Sequence, residues 1–396
     1  MRKLNKNMTL SGIHEFLPQE RVIFGQPAAG AVLAEAERRG AGRVFVVASG
    51  TLSRRTGVVE GIKKALGARF AGLYDETVEH TPRPSVIAAA RAAREVGPDL
   101  IVSVGGGTVI DTVKVLLMCL AEGVDESDGL EDLRVKVAAD GSRQVPEIAL
   151  PPCRQIAVPT TLSAAEFSNI AGCTNPERGI KEHFTAPTIG PAAVILDPAA
   201  CLHTPDWLWL STGIRAVDHA VEGICSAQPQ PFADAVSLHA LRLFASALPA
   251  NLAVPDDLEA RLQSQIAAWL AGSSIGKVPY GASHGIGHQL GAVAGVPHGH
   301  TSCVLLPAVL DYNLEVTKEA QTQVSQAMGR PGEPAAKTVG DFIAGLGLPR
   351  SLREVGVERG QLSTIAEGSL ENPWVRGNPR PIDHAEQVME ILENAW

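Results

Sequence analysis

Apolar positions along the chain follow two regimes. Up to about residue 198, short apolar runs alternate with segments whose apolar residues recur every three or four positions. Residues 21–25 (RVIFG), 43–49 (RVFVVAS), 70–76 (FAGLYDE) and 99–107 (DLIVSVGGG) read as strands, and RQIAVPTT and AAVILD supply two later ones. Residues 28–40, 58–68, 83–97 and 108–123 read as helices. Continuous apolar runs of strand length separated by amphipathic helices imply a parallel sheet with crossover helices. From about residue 204 the segments become long, Ala/Leu-rich and helical in period, as in DAVSLHALRLFASALPANL and DDLEARLQSQIAAWLAGSSIG. The pattern predicts an α/β domain over residues 1–198 and an all-helical domain over 199–396, without internal repeats.

Composition narrows the function classes. A chain of 396 residues with 45% apolar and 19% charged residues is long and apolar enough for large packed cores. Its net charge of −9 comes without a basic run, so a nucleic-acid partner is not expected, although a local positive pocket remains compatible with an anionic substrate. No apolar run approaches the ~18 residues of a membrane span. The first twenty residues, MRKLNKNMTLSGIHEFLPQE, lack the apolar core of a secretory leader. Six scattered cysteines with no CxxC pair read as reduced, buried thiols, and a cytoplasmic location is the expectation.

Two strand ends carry nucleotide-type chemistry. In VGGGTVID (residues 104–111) three glycines separate a strand from a helix, which lets backbone N–H groups approach a pyrophosphate; it is not the GxGxxG fingerprint, and a plain tight turn is the alternative. VPTTLSAAE (158–166) places hydroxyls after another strand. After RVFVVAS the chain continues as Ser49-Gly50-Thr51 with Arg54 and Arg55, where an acid for ribose hydroxyls would otherwise stand. A missing acid beside arginines permits a 2′-phosphate, so NADPH and NADH are both expected to be accepted; two solvated arginines are the bland reading.

Chemistry concentrates in the second half. GIRAVDHAVEG (213–223) reads as helix, with Arg215 and His219 four apart and hence on one side. GASHGIGHQLGAVAGVPHGH (281–300) holds His284 and His288, again four apart, then a Gly-Val-Pro turn and His298. A lone histidine on an apolar helix is usually structural, but a cluster in a polar, Gly-rich segment points to function. Tyr280 and AAEFSN (164–169) are further pocket candidates, with plain packing the alternative.

The order GGGTxxD, PTT, a helix bearing His219, then HxxxHxLG and PHG resembles the iron-containing alcohol dehydrogenase superfamily across nearly the whole chain. The resemblance implies a dinucleotide-binding α/β domain, an all-helical domain, catalysis in the cleft between them, and a homodimer. It implies that Gly105, Gly106, Gly107 and Thr108 form the pyrophosphate loop with Asp111, that Thr160, Thr161 and Ser163 flank the cofactor, and that Lys181 lies near the nicotinamide ribose. Metal-dependent members use one Asp and three His; the histidines correspond to His219, His284 and His298, and His288 to a further histidine near the reacting carbon. The Asp position is occupied by Arg215. The stretches RVIFG and NPWVRGNPRP are similar to those of the maleylacetate reductase branch, which also lacks the Asp and is regarded as metal-independent, though it commonly carries Asn there.

Arginine stays charged, and a cation about 4 Å from a divalent ion costs on the order of 8 kcal/mol at an effective dielectric near 20. Neighbouring Asp218 points about 100° away from His219 on an ideal helix. A catalytic metal is therefore not expected, and Arg215 is read as binding a substrate carboxylate or an alkoxide; a structural pairing with an inner acid such as Glu222 is the alternative. His288 or His284 is the expected acid. The leading expectation is NAD(P)H-dependent reduction of a small anionic carbonyl substrate. A metal-dependent alcohol dehydrogenase with three His ligands and a catalytically inactive nucleotide-binding protein are the alternatives.

Overall fold

The structure is a computed structural model, and it describes residues 12–137 and 143–396. Its first half is built on a six-stranded, all-parallel sheet in the order β1-β10-β7-β4-β2-β3. The strands are β1 (Arg21–Phe24), β2 (Val44–Ala48), β3 (Phe70–Tyr74), β4 (Leu100–Gly105), β7 (Arg154–Pro159) and β10 (Ala193–Leu196). A two-residue ladder, β5 (Lys136–Val137) with β6 (Arg143–Gln144), and an antiparallel hairpin, β8 (Ile170–Asn175) with β9 (Ile180–Thr185), stand apart from it.

The apolar runs read as strands are the central ones. β2 and β4 are buried along their whole length, as a parallel sheet covered on both faces requires. Its covers include α1 (Ala28–Arg38) and α3 (Val58–Leu66) in one apolar cluster, and α4 (Arg83–Val96) and α5 (Gly107–Glu122) in another. α4 starts behind Pro82 and stops at Gly97, and α5 stops at Gly123; both glycines take the left-handed conformation that ends a helix. A short helix, α2 (Gly50–Arg55), follows β2.

From Asp206 onward the described chain is helical: α6 (Asp206–Ile224), α7 (Pro231–Ala253), α8 (Leu258–Gly272), α9 (Ala282–Ala294), α10 (His298–Ala327), α11 (Ala335–Gly345), α12 (Leu362–Ser369), α13 (Pro373–Arg376) and α14 (Ala385–Asn394). None of the described helices is long and apolar enough to cross a membrane. α6 is the central helix, with every residue from Trp209 to Ile224 buried. A helix enclosed on all sides should be apolar all round. Yet α6 carries Arg215, Asp218, His219 and Glu222, and burying four such groups requires that they satisfy one another or a ligand.

The hairpin is the element that the apolar pattern did not announce. Its strands are short and it packs beside α5 rather than in the main sheet. Asp111 Oδ2 accepts the Gly172 N–H at 3.0 Å, and Glu182 pairs with Arg83 of α4. Thus anchored, the hairpin turns Lys181 and His183, two residues apart on β9, toward the helical half.

Candidate functional site

The glycine turn lies at the carboxyl end of the sheet, where open α/β folds bind ligands. A Cβ on Gly105 would come within 2.6 Å of Val109 Cγ2, and one on Gly106 within 2.9 Å of Thr161 Cγ2. Only glycine permits this approach between the turn, its own helix and the loop after β7. No side chain caps the start of α5, so its first N–H groups remain for an anion. Thr161 Oγ1 donates to Ser163 Oγ at 3.3 Å against this turn, whereas Thr160 is buried, its carbonyl taking the Thr204 hydroxyl at 2.6 Å. Gly107, Thr108, Asp111 and Ser163 line a cavity of about 200 Å³; Gly105, Gly106, Thr160 and Thr161 do not.

Beside it, an open cleft of about 550 Å³ is lined by Ser49, Gly50, Thr51, Arg54, Arg55, Asp75 and their neighbours. Ser49 caps α2 through Leu52 N. Asp75, the residue after β3, brings Oδ1 to 3.0 Å from Arg54. Arg54, which the sequence offers either for a 2′-phosphate or as a solvated side chain, thus has an acid partner brought to it by the pairing of β3 with β2.

The inner cavity gathers the five residues singled out on the helical half. Arg215, His219, His284, His288 and His298 all line it, facing Lys181 and His183 from β9, His80 from the loop before α4, and Tyr280 and Trp374. Sequence reasoning missed His80, His183 and Trp374. His183 was legible as the i+2 neighbour of Lys181, but only with the hairpin recognised. Neighbouring His80 and Thr81 both hold positive φ, +64° and +54°, a strained conformation for non-glycine residues.

Within the cavity wall, Glu222 is the hub. Its carboxylate accepts N–H groups from Gly281, Ser283 and His284 at the start of α9, and lies 2.7 Å from His284 Nδ1. His284 Nε2 lies 2.8 Å from His219 Nδ1, so both His284 nitrogens are engaged within the protein. Of the two expected acids, that leaves His288, whose Nε2 has no protein partner among the described residues. Asp218 differs from the ideal-helix reading: the packing of α9 and α10 onto α6 brings partners to it. Its Oδ2 accepts from Ser283 and Ser302 hydroxyls and lies 3.7 Å from Arg215, while Oδ1 is buried without a partner. Asp218 and Glu222 are four apart, a spacing the sequence displayed.

The inner acid that Arg215 faces is Asp218, at 3.7 Å, and not Glu222. One guanidinium nitrogen donates to Ser302 Oγ at 3.0 Å, and no other hydrogen bond from it occurs among the described residues. The remaining donors belong to a side chain that lines the cavity. Lys181 Nζ lies 3.1 Å from His298 Nε2.

Charge and burial hold the imidazoles neutral. Burial and neighbouring His284 and Arg215 push His219 well below its ordinary value; burial, then Arg215, takes His284 down to about 3. Burial and a ring of cations and histidines lower His288, while the Lys181 ammonium is the main cause for His298. Burial also lowers Lys181 and Arg215, and raises Asp218, and takes Glu222 up to about 6.

These donors do not suit a divalent ion. A tetrahedral site needs three nitrogens converging at ~2.0–2.1 Å on one point. Here His219 and His284 bond to each other and His298 turns to Lys181. The one set of three ligand-type atoms drawn together among the described residues is Asp218, Glu222 and His284. Its carboxylates are already held by hydroxyl and backbone donors, with the Arg215 cation alongside.

Comparison with known proteins agrees with this architecture. The family model described as iron-containing alcohol dehydrogenase matches residues 18–198, and the Fe-containing alcohol dehydrogenase family, C-terminal, matches residues 209–396. The chain belongs to the iron-containing alcohol dehydrogenase family. It is accordingly an oxidoreductase. Among its relatives in that family, dehydrogenase FUM7 of Gibberella moniliformis is 34% identical over 405 residues, covering 94% of this chain and 95% of that one. A maleylacetate reductase of Sphingobium indicum is 30% identical over 383 residues, covering 97% of each. The crystal structure of maleylacetate reductase from a Rhizobium species superposes with a TM-score of 0.80 at 28% identity, covering 96% of each chain.

Proposed function

We propose that this protein is an NAD(P)H-dependent reductase that acts, without a catalytic metal, on the carbonyl of a small carboxylated substrate of the keto-acid, maleylacetate-like kind. The observation that carries the reading is Arg215: a buried guanidinium with one protein hydrogen bond and Asp218 3.7 Å away, on the wall of a cavity that it shares with Lys181 and with imidazoles held neutral. Unspent guanidinium donors in a desolvated cavity favour a carboxylate or the developing alkoxide. The relatives named maleylacetate reductase act on a substrate of that class.

In this reading residues 1–198 form the domain that holds the dinucleotide, which supplies the hydride when bound. The bare start of α5 with Gly105, Gly106, Gly107 and Thr108 receives the pyrophosphate; Asp111 braces the hairpin; Thr161 and Ser163 flank the turn; and Lys181 reaches in from β9. Residues 199–396 form the domain that holds the substrate. There Arg215 takes negative charge, His288 directs Nε2 at the reacting oxygen, and the Glu222–His284–His219 chain fixes the wall beside them.

The experiment is a screen of dinucleotide oxidation by keto acids and by uncharged ketones and aldehydes, with and without a chelator. Turnover is expected with carboxylated carbonyls and is expected to survive chelation. Arg215→Ala should lose roughly 100-fold in kcat/KM on the carboxylated substrate, the cost of a charged hydrogen bond of about 3 kcal/mol, and much less on an uncharged one. Activity that vanishes with a removable equimolar metal, or an Arg215→Ala variant equally impaired on both classes, would sink the reading.

A further inference from the structure

His288 has its partner outside the cluster of histidines, acids and cations. Its Nδ1 is 3.3 Å from the amide nitrogen of Asn372, in the NPWVRGNPRP segment near the C-terminus. The orientation of that amide is not free. Asn372 caps α13, and its Oδ1 accepts the backbone N–H of Trp374 at 3.0 Å. A backbone N–H can only donate, so Oδ1 must face Trp374, and Nδ2, which can only donate, must face His288. A donor aimed at Nδ1 requires a lone pair there. The neutral ring therefore carries its proton on Nε2, the nitrogen left without a protein partner.

Several features hold this arrangement in place. Asn372 and His288 meet because α13 packs against α9 at Gly285, one turn before His288; a Cβ there would come within 2.9 Å of Val375 N and 3.5 Å of Asn372 Oδ1. Trp374, carried by the same short helix, lays its ring against His288 with centroids 4.7 Å apart. His183 and His298 complete the surroundings at 5.6 and 6.2 Å.

We infer that Asn372 is a positioning residue that locks His288 as the neutral, Nε2-protonated tautomer, so that His288 serves as a fixed hydrogen-bond donor to the substrate oxygen and does not itself surrender a proton. This rests on the reading of the cavity as a carbonyl-reducing site. A neutral imidazole that donates a hydrogen bond polarises a carbonyl and stabilises the alkoxide formed when hydride adds to its carbon. With His288 keeping its proton, the proton that completes the alcohol is drawn from solvent water, and the hydroxide formed is neutralised by the buffer.

Asn372→Asp tests this, because aspartate caps a helix as well as asparagine does but has only acceptors. A merely structural Asn372 predicts a silent change. The inference predicts that the Asp carboxylate accepts a proton from Nδ1, moves the tautomer to Nδ1–H and empties Nε2 of its donor. Long-range 1H–15N spectra of protein labelled at histidine nitrogen, assigned with His288→Gln, read the tautomer directly, without substrate. The wild type should show Nε2–H and the variant Nδ1–H. In turnover, kcat should fall by about 10²-fold, the usual cost of an oxyanion donor, with the dinucleotide KM unchanged. Wild-type His288 found as Nδ1–H or as imidazolium overturns the inference even if the variant fails to fold, as does an Asn372→Asp variant with wild-type kcat. The spectra stand apart from catalysis: a wild type with the Nε2–H tautomer but no keto-acid turnover would fault the proposed reaction and leave the tautomer lock standing.

Discussion

At the scale of single residues, the outer cleft makes a choice that the sequence left open. Asp75 and Arg54 face each other across it, 3.0 Å apart, each stabilising the other's charge: the side-chain hydrogen bond to Arg54 holds the Asp75 carboxyl below its ordinary value. A carboxylate beside the ribose position repels a 2′-phosphate, and an arginine attracts one. Paired, they nearly cancel, and the carboxylate remains available to ribose hydroxyls. NADH is therefore expected to be the better cofactor. Asp75→Ala should release Arg54 and improve kcat/KM for NADPH a few-fold relative to NADH. Steady-state kinetics with both cofactors measure this; an unchanged ratio would show that the pair lies outside the ribose position. The same pair marks a limit of reading residues in chain order. Ser49, Arg54 and Arg55 were visible as a strand-end group. Their acid follows another strand, and only the parallel pairing of β2 with β3 joins them.

At the scale of elements, legibility followed periodicity. The central strands and long helices emerged from the apolar pattern because burial on one or both faces imposes it. The spacing of four put His284 and His288 on one helix, and the Gly-Val-Pro turn set His298 at the start of the next. The β8–β9 hairpin and the short α13 carry no comparable signature: they are short, their few apolar anchors (Ala171, Cys173, Phe184, Val375) stand among polar residues, and polar contacts complete their hold, Asp111 to Gly172, Glu182 to Arg83 and Asn372 to Trp374. His183 and Trp374 went unread for that reason. The close crossing of α6 and α10 was equally silent. A Cβ on Gly299, one residue after His298, would sit 2.7 Å from the backbone carbonyl of Ser211. Backbone cannot turn aside as a side chain can. Gly299→Ala should thus push the start of α10 off α6 at a cost of about 1–3 kcal/mol, lowering the melting temperature by several degrees and displacing His298. Thermal unfolding and kcat should fall together; an unaltered melting temperature would mean that the crossing is looser than its geometry.

For the whole molecule, the cavity ties function to acid stability. His183, His219, His284, His288 and His298 are each held below their ordinary value, His183 at about 4 and His284 at about 3. An imidazole whose folded value is depressed keeps its full contribution above the unfolded value, near 6.5, and loses it as pH falls, because the unfolded chain then binds protons that the folded one refuses. Three buried carboxyls act in the opposite sense: burial raises Glu166 to about 7 and Glu222 to about 6, and raises Asp218 as well, so the folded state retains protons that the unfolded state has lost. The depressed imidazoles outnumber the raised carboxyls, so on balance the unfolded chain binds more protons and stability falls as pH drops below about 6.5. The melting temperature should drop steadily from pH 6.5 to 5, with the loss complete only below the lowest folded value. Replacing His183, which makes no side-chain hydrogen bond among the described residues, by Gln should flatten that slope by nearly one proton. A slope that is flat or reversed in the wild type, or unaltered in His183→Gln, would mean that the imidazoles are charged in the folded protein. The anion site would then be a cluster of imidazolium groups and not a single arginine among neutral rings, and the selectivity assigned to Arg215 would be shared with them.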